Sequence, residues 1–307
     1  MEVRQLQTFC ILAEELNFTR TAERVFTVQS NVTSQIKSLE SELGYPLFDR
    51  LAKRVLLTEA GRRFRPYAEK ALAAMDEGYR AVKFGTDPAG PLRIYAPESV
   101  LTYRLPEVLK QFRKRYPKVE LIFRPESDNK LSVELECGKI DLAISMSDEI
   151  DGEQLCSIKM RNEDVYLFGT PDHPLANAKK VYPSDLLDQT LLLTEAGCGY
   201  RKKLDMQLAS ANVKPQHITE FSSVEAIKQC VLAGMGIGFL PEIVIACELR
   251  KKQFTAVKWH DPKMTIATHI VWHKDKWISP GMQAFLDIVR SRLQPAASPA
   301  LVQERAV

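Results

Sequence analysis

The chain has 307 residues, 45% hydrophobic and 26% charged, with a net charge of +3 at pH 7. That length accommodates two or three domains with proper cores, and no apolar run approaches the roughly 18–20 residues of a membrane span. The first residues, MEVRQLQTF, carry Glu2 and no apolar signal core, so a cytoplasmic protein with no membrane partner is expected.

Residues 3–16 read as an amphipathic helix with Leu6, Phe9, Cys10, Ala13 and Leu16 on one face. Residues 17–44, NFTRTAERVFTVQSNVTSQIKSLESELG, then read as two short helices joined by a tight turn. Thr19 is placed to cap the first, whose inner face is Ala22, Val25 and Phe26, and Thr27 to cap the second. Val32, Ile36, Leu39 and Leu43 recur on one face of that second helix. Its other face holds Ser30, Asn31, Ser34, Lys37, Ser38 and Ser41. A solvated face is usually built from long Glu and Lys side chains, whereas small hydroxyls and amides near a helix N-terminus suit base edges in a major groove. On the hairpin alone, a Ser-rich surface and a DNA-reading face are equally compatible with the pattern. Residues 44–65 shift the balance. They carry Arg50, Lys53, Arg54, Arg62, Arg63 and Arg65 against Asp49 and Glu59 alone. Leu47 and Phe48 can anchor a strand, residues 51–55 make a basic hairpin, and Leu56 and Leu57 return it to the core. Such a wing adds salt-dependent phosphate affinity without reading sequence.

The succession Phe9, Ala13, Phe18, Thr19, Ala22, then Gln29-Ser30-Asn31-Val32-Thr33, Gln35-Ile36, Leu39-Glu40 and Leu43-Gly44, then Pro46-Leu47-Phe48, Arg50 and Leu57-Thr58-Glu59-Ala60-Gly61 resembles the N-terminal domain of LysR-type transcriptional regulators. These are bacterial winged helix-turn-helix proteins. The match is dense over about the first 65 residues. It departs from the common pattern at Glu23, where a second small residue is frequent, and at Ser30-Asn31, where Pro-Ala or Pro-Ser is frequent. The resemblance implies that Gln29, Ser30, Asn31, Ser34 and Lys37 face DNA, with Arg50 and Arg54 on the wing side. Thr19 and Thr33 of the same motif, and Lys53 of the basic hairpin, complete the candidate DNA-binding set.

Residues 59–84 form a further helix in which Phe64, Ala68, Ala71, Leu72, Met75, Tyr79 and Val82 follow a stripe broader than a small domain covers. The resemblance favours a dimerising linker helix, and hence self-association as a dimer or tetramer. Thr86-Asp87-Pro88-Ala89-Gly90-Pro91 breaks the pattern and marks a boundary. Strand–helix alternation follows: strand 92–96, helix 101–116, strand 119–125, helix 130–137 and strand 140–145. A second series runs through strands at 165–169, 190–194, 217–221 and 236–241, with helices at 200–211 and 224–233. Strand 266–274 and helix 282–293 close the chain. The leftover pair returns to the first lobe, so the chain crosses between lobes near 162–165 and 264–267.

The expected fold is an N-terminal all-α winged helix-turn-helix with a long linker helix, followed by a C-terminal α/β two-lobed domain. The family's effector domain is similar in fold to periplasmic binding proteins. The expected segments are 1–58 for DNA binding, 59–90 for the linker and hinge, 91–295 for effector binding and 296–307 for a tail. Ligands of such sheets sit at the carboxyl ends of the strands. That rule selects Glu98, Ser99 and Val100, then Ser127, Ser145, Cys198 and Ser222, with each serine also suited to plain helix capping. Glu98 would repel an anionic effector or pair with a cationic one.

The six cysteines show no CxxC and no Cys/His ligand spacing, so no metal or other cofactor is expected. Some relatives of the family sense peroxide through a cysteine pair, and Cys198 lies in a loop-like GCG context. The next cysteine, Cys230, is far along in an apolar helical pattern, so the thiols read as buried and inert. Histidines 173, 217, 260, 269 and 273 show no triad partner and suit surface or capping roles. Absence of GxSxG, HExxH and Walker patterns argues against catalysis. The expected partners are double-stranded DNA, a small-molecule effector and a second copy of the chain. The competing reading is a two-lobed binding protein or enzyme with no DNA role.

Overall fold

The computed structural model describes residues 1–51, 54–123, 131–150, 152–260 and 264–293, with the side chains of residues 50 and 51 left undescribed. Lys53, Ser127, Lys130 and the tail at 296–307 therefore lie outside the described residues. The chain divides into two compact units, Met1–Gly85 with Val133–Ile140, and Thr86–Ser132 with Asp141–Val307.

In the first unit, helices α1 (Val3–Glu15), α2 (Phe18–Arg24) and α3 (Gln29–Leu43) precede a hairpin of β1 (Phe48–Leu51) and β2 (Arg54–Leu57), then the long α4 (Glu59–Phe84). The core is Leu6, Phe9, Leu12, Ala22, Val32, Ile36, Leu39, Leu47 and Phe48, with Phe64 and Leu72 of α4 packed on it. Phe9 sits between Phe48 and Phe64, with ring centroids 5.5 and 5.2 Å away, an arrangement that favours tilted and edge-on aromatic pairs. The hairpin pairs antiparallel, Phe48 opposite Leu57 and Arg50 opposite Val55.

Four local expectations change. The α2 cap is Asn17, whose side chain accepts from the Thr19 and Arg20 N–H groups, so Thr19 lies inside the helix. Asn is among the best N-caps because its short side chain reaches the first-turn donors. Thr27 does not cap α3 either. Val28 holds that position without a side-chain cap, and the Thr27 hydroxyl accepts from Asn31 Nδ2 at 2.8 Å. Phe26 is not part of the inner face. Helix α2 stops at Arg24, Phe26 takes a left-handed φ of +54°, and its ring is 97% exposed. On the hairpin, Leu56 is exposed rather than returned to the core.

In the second unit, β3 (Gly90–Tyr95), α5 (Glu98–Tyr103), α6 (Leu105–Arg115), β4 (Val119–Phe123) and β5 (Leu142–Met146) form the first series. Helix α7 (Leu131–Glu136), between β4 and β5 in the chain, falls largely in the Val133–Ile140 segment of the first unit. The helix expected at 101–116 is two helices. Pro106 lacks the N–H that would continue the ladder, so the helix breaks at Arg104 and α6 restarts with the proline in its first turn. Next come β6 (Leu155–Gly169), β7 (Thr190–Thr194), α8 (Gly199–Ser210), β8 (His217–Phe221), α9 (Val224–Leu232), β9 (Ile237–Pro241) and α10 (Glu242–Arg250). Short β10 (Thr255–Ala256), long β11 (Thr265–His273) and α11 (Pro280–Leu293) end the described chain.

The strand order is β4-β3-β5-β11-β6-β9-β7-β8, with β10 also on β6. β6 begins ten residues earlier than the expected 165, and α10 has no counterpart among the expected elements. Along β6, residues up to Asp164 pair with β11, and from Val165 the partner is β9. β11 starts at Thr265, and Val165 N–H donates to Met264 O at 2.8 Å. The unit thus has two lobes joined at 164–165 and 264–265, within the two crossing segments expected from the sequence.

Candidate functional site

Helix α3 separates its faces cleanly. Val32, Ile36 and Leu39 are fully buried, whereas Gln29, Ser30, Asn31, Ser34, Lys37, Ser38 and Ser41 are exposed. Thr33 is half-buried and so only partly available. The open first-turn N–H groups of α3 have no side-chain cap and are suited to a phosphate oxygen. Thr19, at the start of α2, donates to Gln29 Oε1 at 3.5 Å and draws the two helix starts together.

The hairpin of the same unit presents exposed Arg54. Arg50 is held by its backbone opposite Val55. The other cations of the 44–65 stretch are spoken for. Arg62 and Arg63 pair with Glu59 at 3.0 and 3.1 Å, and Arg65 pairs with Glu69 at 2.8 Å. Among the described side chains of this stretch, exposed Arg54 is therefore the candidate for an outward-facing positive edge.

Among the described candidate effector residues of the second unit, Glu98, Ser99 and Val100 follow β3, Cys198 follows β7 and Ser222 follows β8, whereas Ser145 lies within β5 rather than after it. Ser99, Val100 and Ser145 are nevertheless buried. The Ser99 hydroxyl donates to Met146 Sδ at 3.4 Å, so its donor is already engaged. Cys198 is the N-cap position of α8 and is half-buried. The residue after it, Gly199, lies so close to β5 that a Cβ would sit 1.7 Å from the Met146 carbonyl oxygen. Ser222 is exposed, and the cap of α9 is the next residue, Ser223. Glu98 is neither repelling nor free. Its carboxylate accepts from Ser223 Oγ at 3.1 Å and from Val224 N–H at 2.7 Å, at the first turn of α9.

A concave region of about 340 Å³ lies at the crossing point, lined by Tyr103, Arg104, Arg161, Glu163, Asp164 and Glu242 among others. Glu163, buried there, binds Arg104 at 2.8 Å and Arg161 at 2.9 Å. Sequence reading missed Tyr103, which carries no local signal, whereas Met146, Gly199 and Ser223 stand beside residues it selected. A cap from Ser222-Ser223 is expected from a serine pair just before a helical apolar pattern.

The six cysteines are thiols rather than disulfides. Burial pushes Cys10 up to about 12 and Cys137 up to about 11. Burial also lowers His173 and His269. His173 caps a short helical turn, its Nδ1 accepting from Leu175 N–H, whereas His269 is buried in β11 rather than at the surface. Among the described residues no group of three His, Cys, Asp or Glu is arranged to hold a metal, and no helix is long and apolar enough to cross a membrane.

Two family models match the chain: the bacterial regulatory helix-turn-helix protein of the lysR family over residues 3–62, and the LysR substrate binding domain over 85–294. The chain is 41% identical over 291 residues to YwqM of Bacillus subtilis, an uncharacterized HTH-type transcriptional regulator, covering 94% of this chain and 99% of that protein. It is 30% identical to the HTH-type transcriptional regulator GltR of the same species, covering 96% and 98%. A cysteine variant of full-length OxyR from Pseudomonas aeruginosa shares the fold at a TM-score of 0.70 and 24% identity, over 94% of this chain and 98% of that one. CbnR in complex with its target DNA does so at 0.65 and 22%, over 95% and 100%. The two family models and the full-length relatives agree: this chain belongs to the LysR family and is a DNA-binding transcriptional regulator with an effector-binding domain.

Proposed function

We propose that residues 1–58 read operator DNA through the outer face of α3. Gln29, Ser30, Asn31 and Ser34 meet base edges, with Thr33 partly screened. Lys37 and the hairpin cations Arg50, Lys53 and Arg54 hold phosphates, and Thr19 steadies the start of the reading helix. The observation that carries this reading is the division of α3: apolar residues at zero exposure on one side and short hydroxyl and amide side chains in the open on the other. Hydroxyl and amide groups on an exposed recognition helix are matched to major-groove donors and acceptors.

Residues 59–90 serve as the linker. The exposed stripe Tyr67, Met75, Tyr79 and Val82 on α4 supports pairing with the same helix of a second copy, which fixes the spacing of two reading heads. Residues 91–295 bind a small effector between the lobes. The effector acts by favouring one lobe arrangement, and so one spacing of the paired heads. The chain does this by binding alone, without turnover, in the cytoplasm where its DNA target lies.

The test is fluorescence anisotropy with a duplex from the chain's own upstream region against a scrambled duplex, over a salt series. Tighter binding to the upstream duplex, with a steep salt dependence, is the expected result. Equal binding to both duplexes at every salt concentration refutes the sequence-reading role of α3.

A further inference from the structure

The two lobes of the second unit touch along both rims of the cleft, and both contacts are made by groups of the chain itself. On one rim, α5 of the first lobe reaches across to α9 of the second. Glu98 accepts from Ser223 Oγ and Val224 N–H. One and a half turns on, the Tyr103 hydroxyl donates to Glu225 Oε2 at 3.2 Å and accepts from Lys228 Nζ at 3.1 Å. Lys228 is only 6% exposed in its side chain and is also held by Glu225 at 3.0 Å and Glu248 at 2.8 Å. Burial alone would lower its pKa, but the hydrogen bonds to Glu248, Tyr103 and Glu225 raise it, so the cation is firmly retained. On the other rim, α8 of the second lobe meets the end of β5. Gly199 lies against Met146 O, Lys203 pairs with Asp148 at 2.5 Å, and Lys203 also donates to Thr265 O.

We propose that α5 is a strap that fastens the second lobe onto the first, with Glu98 as its catch, and that it works with the Gly199–Met146 contact as one open–closed switch. Among the described residues the backbone passes between the lobes at 164–165 within β6 and at 264–265 where β11 begins. A rotation about these two points carries α8 and α9 as one body and moves both rims. A hydrogen bond to a carboxylate is among the stronger cross-lobe ties available. Closure further requires the absence of a side chain at position 199, because any Cβ there collides with backbone rather than with a yielding side chain. The inference deepens the effector reading and rests on it only for the identity of what lifts the strap.

Reciprocity supplies the test, since two rims governed by one equilibrium respond to each other. The native Cys198 thiol sits at the α8 rim and the Val224 amide at the α9 rim. Maleimide labelling of the full chain, resolved by peptide mass spectrometry, follows Cys198, with exposed Cys247 as the internal standard. Hydrogen exchange follows the first turn of α9. Glu98→Ala is expected to speed Cys198 labelling by about tenfold relative to Cys247, by shifting the population towards the open form. Gly199→Ala is expected to speed exchange at residues 223–228, a site it does not touch. Tyr103→Phe, which removes one hydroxyl and keeps the ring, gives a smaller rise at both rims and serves where a harsher variant fails to fold. Unchanged exchange in the lobe cores, α11 of the first lobe and β9 of the second, reports that each variant is folded. If Glu98→Ala speeds exchange only at 223–228 and leaves Cys198 labelling at the wild-type rate, Glu98 is a local helix cap and the strap is refuted. The same holds if Gly199→Ala leaves 223–228 unchanged. A thermal-shift screen of small acids and amino acids that finds no ligand would count against the effector reading while leaving these rate comparisons intact.

Discussion

Replacing Arg54 with alanine separates phosphate holding from base reading. Arg54 is exposed and starts β2, opposite Leu51 across the hairpin. Each phosphate contact contributes about 0.9 to the slope of log affinity against log salt. A dimer on two half-sites loses two contacts, so the slope becomes shallower by about 1.8. Between about 50 and 200 mM salt, a fourfold change, the wild type therefore loses about twelvefold more affinity than the variant. The factor should be the same on cognate and scrambled duplexes, since a phosphate carries no sequence. Ser34→Ala is the counterpart. A lost side-chain hydrogen bond is worth about 1 kcal/mol net, so two half-sites lose about 2 kcal/mol, roughly thirtyfold, on cognate DNA alone with the salt slope unchanged. Anisotropy titrations at five salt concentrations measure both quantities. An unaltered slope in Arg54→Ala, or equal losses on both duplexes in Ser34→Ala, refutes the division of labour between wing and helix.

Three further outcomes follow from the same structure. Gly61→Ala places a Cβ 2.2 Å from the Leu47 carbonyl oxygen and 2.8 Å from Leu57 Cδ2, so it should lower the unfolding free energy of the first unit by about 1–3 kcal/mol in urea titration. Val82→Asp, at a position 88% exposed on α4, should leave the monomer fold intact yet shift sedimentation velocity towards monomer and weaken operator binding. For Glu69, burial raises the carboxyl pKa, but hydrogen bonds from Arg65 and Lys139 outweigh it and the net shift is below the ordinary 4.5. A lowered carboxylate pKa contributes stability that is present above 4.5 and fades as pH falls through the folded-state value. Glu69→Gln should accordingly be less stable than wild type at pH 7, with the gap narrowing below about pH 4.5, as read by thermal unfolding across pH.

Much of the first unit was legible because its signals are local. Val32, Ile36 and Leu39 repeat within one helix, and all three are fully buried in the structure. The start of α4 at Glu59, capped by Thr58 through Gly61 N–H at 2.9 Å, likewise follows from adjacent residues. Errors arose where two local rules competed. Phe26 lies four residues after Ala22 and so fits a helical face, but α2 ends at Arg24 and the left-handed turn throws the ring outward. Thr19 is an acceptable cap, yet Asn17 two residues earlier is a better one and wins both first-turn donors. In β6, Cys156, Ile158 and Met160 alternate with Ser157, Lys159 and Arg161 as a strand should. The pattern is short and dissolves into the all-polar Asn162-Glu163-Asp164, so sequence reading passes over it. The strand forms regardless because β11 supplies a full ladder partner, and ladder pairing outweighs intrinsic propensity.

The effector half was legible as a set of strands and helices but not as a mechanism, and the reason is sequence distance. Glu98 and Val224 are 126 residues apart, and Tyr103 and Lys228 are 125 apart. No periodicity spans such a gap. Read along the chain, Glu98 is an acid at the mouth of a cleft, and only two signs of interaction are open to it, repulsion of an anion or attraction of a cation. The fold adds a third, in which the carboxylate is satisfied by the N–H and hydroxyl donors of the opposite lobe. That pairing changes what an effector has to do. A ligand that needs the cleft open must overcome contacts the protein makes with itself, and a ligand that fits the closed cleft adds to them. The same two lobes can therefore respond in opposite directions to different ligands, with Glu98, Tyr103 and Gly199 setting the starting point of the equilibrium rather than the identity of the ligand.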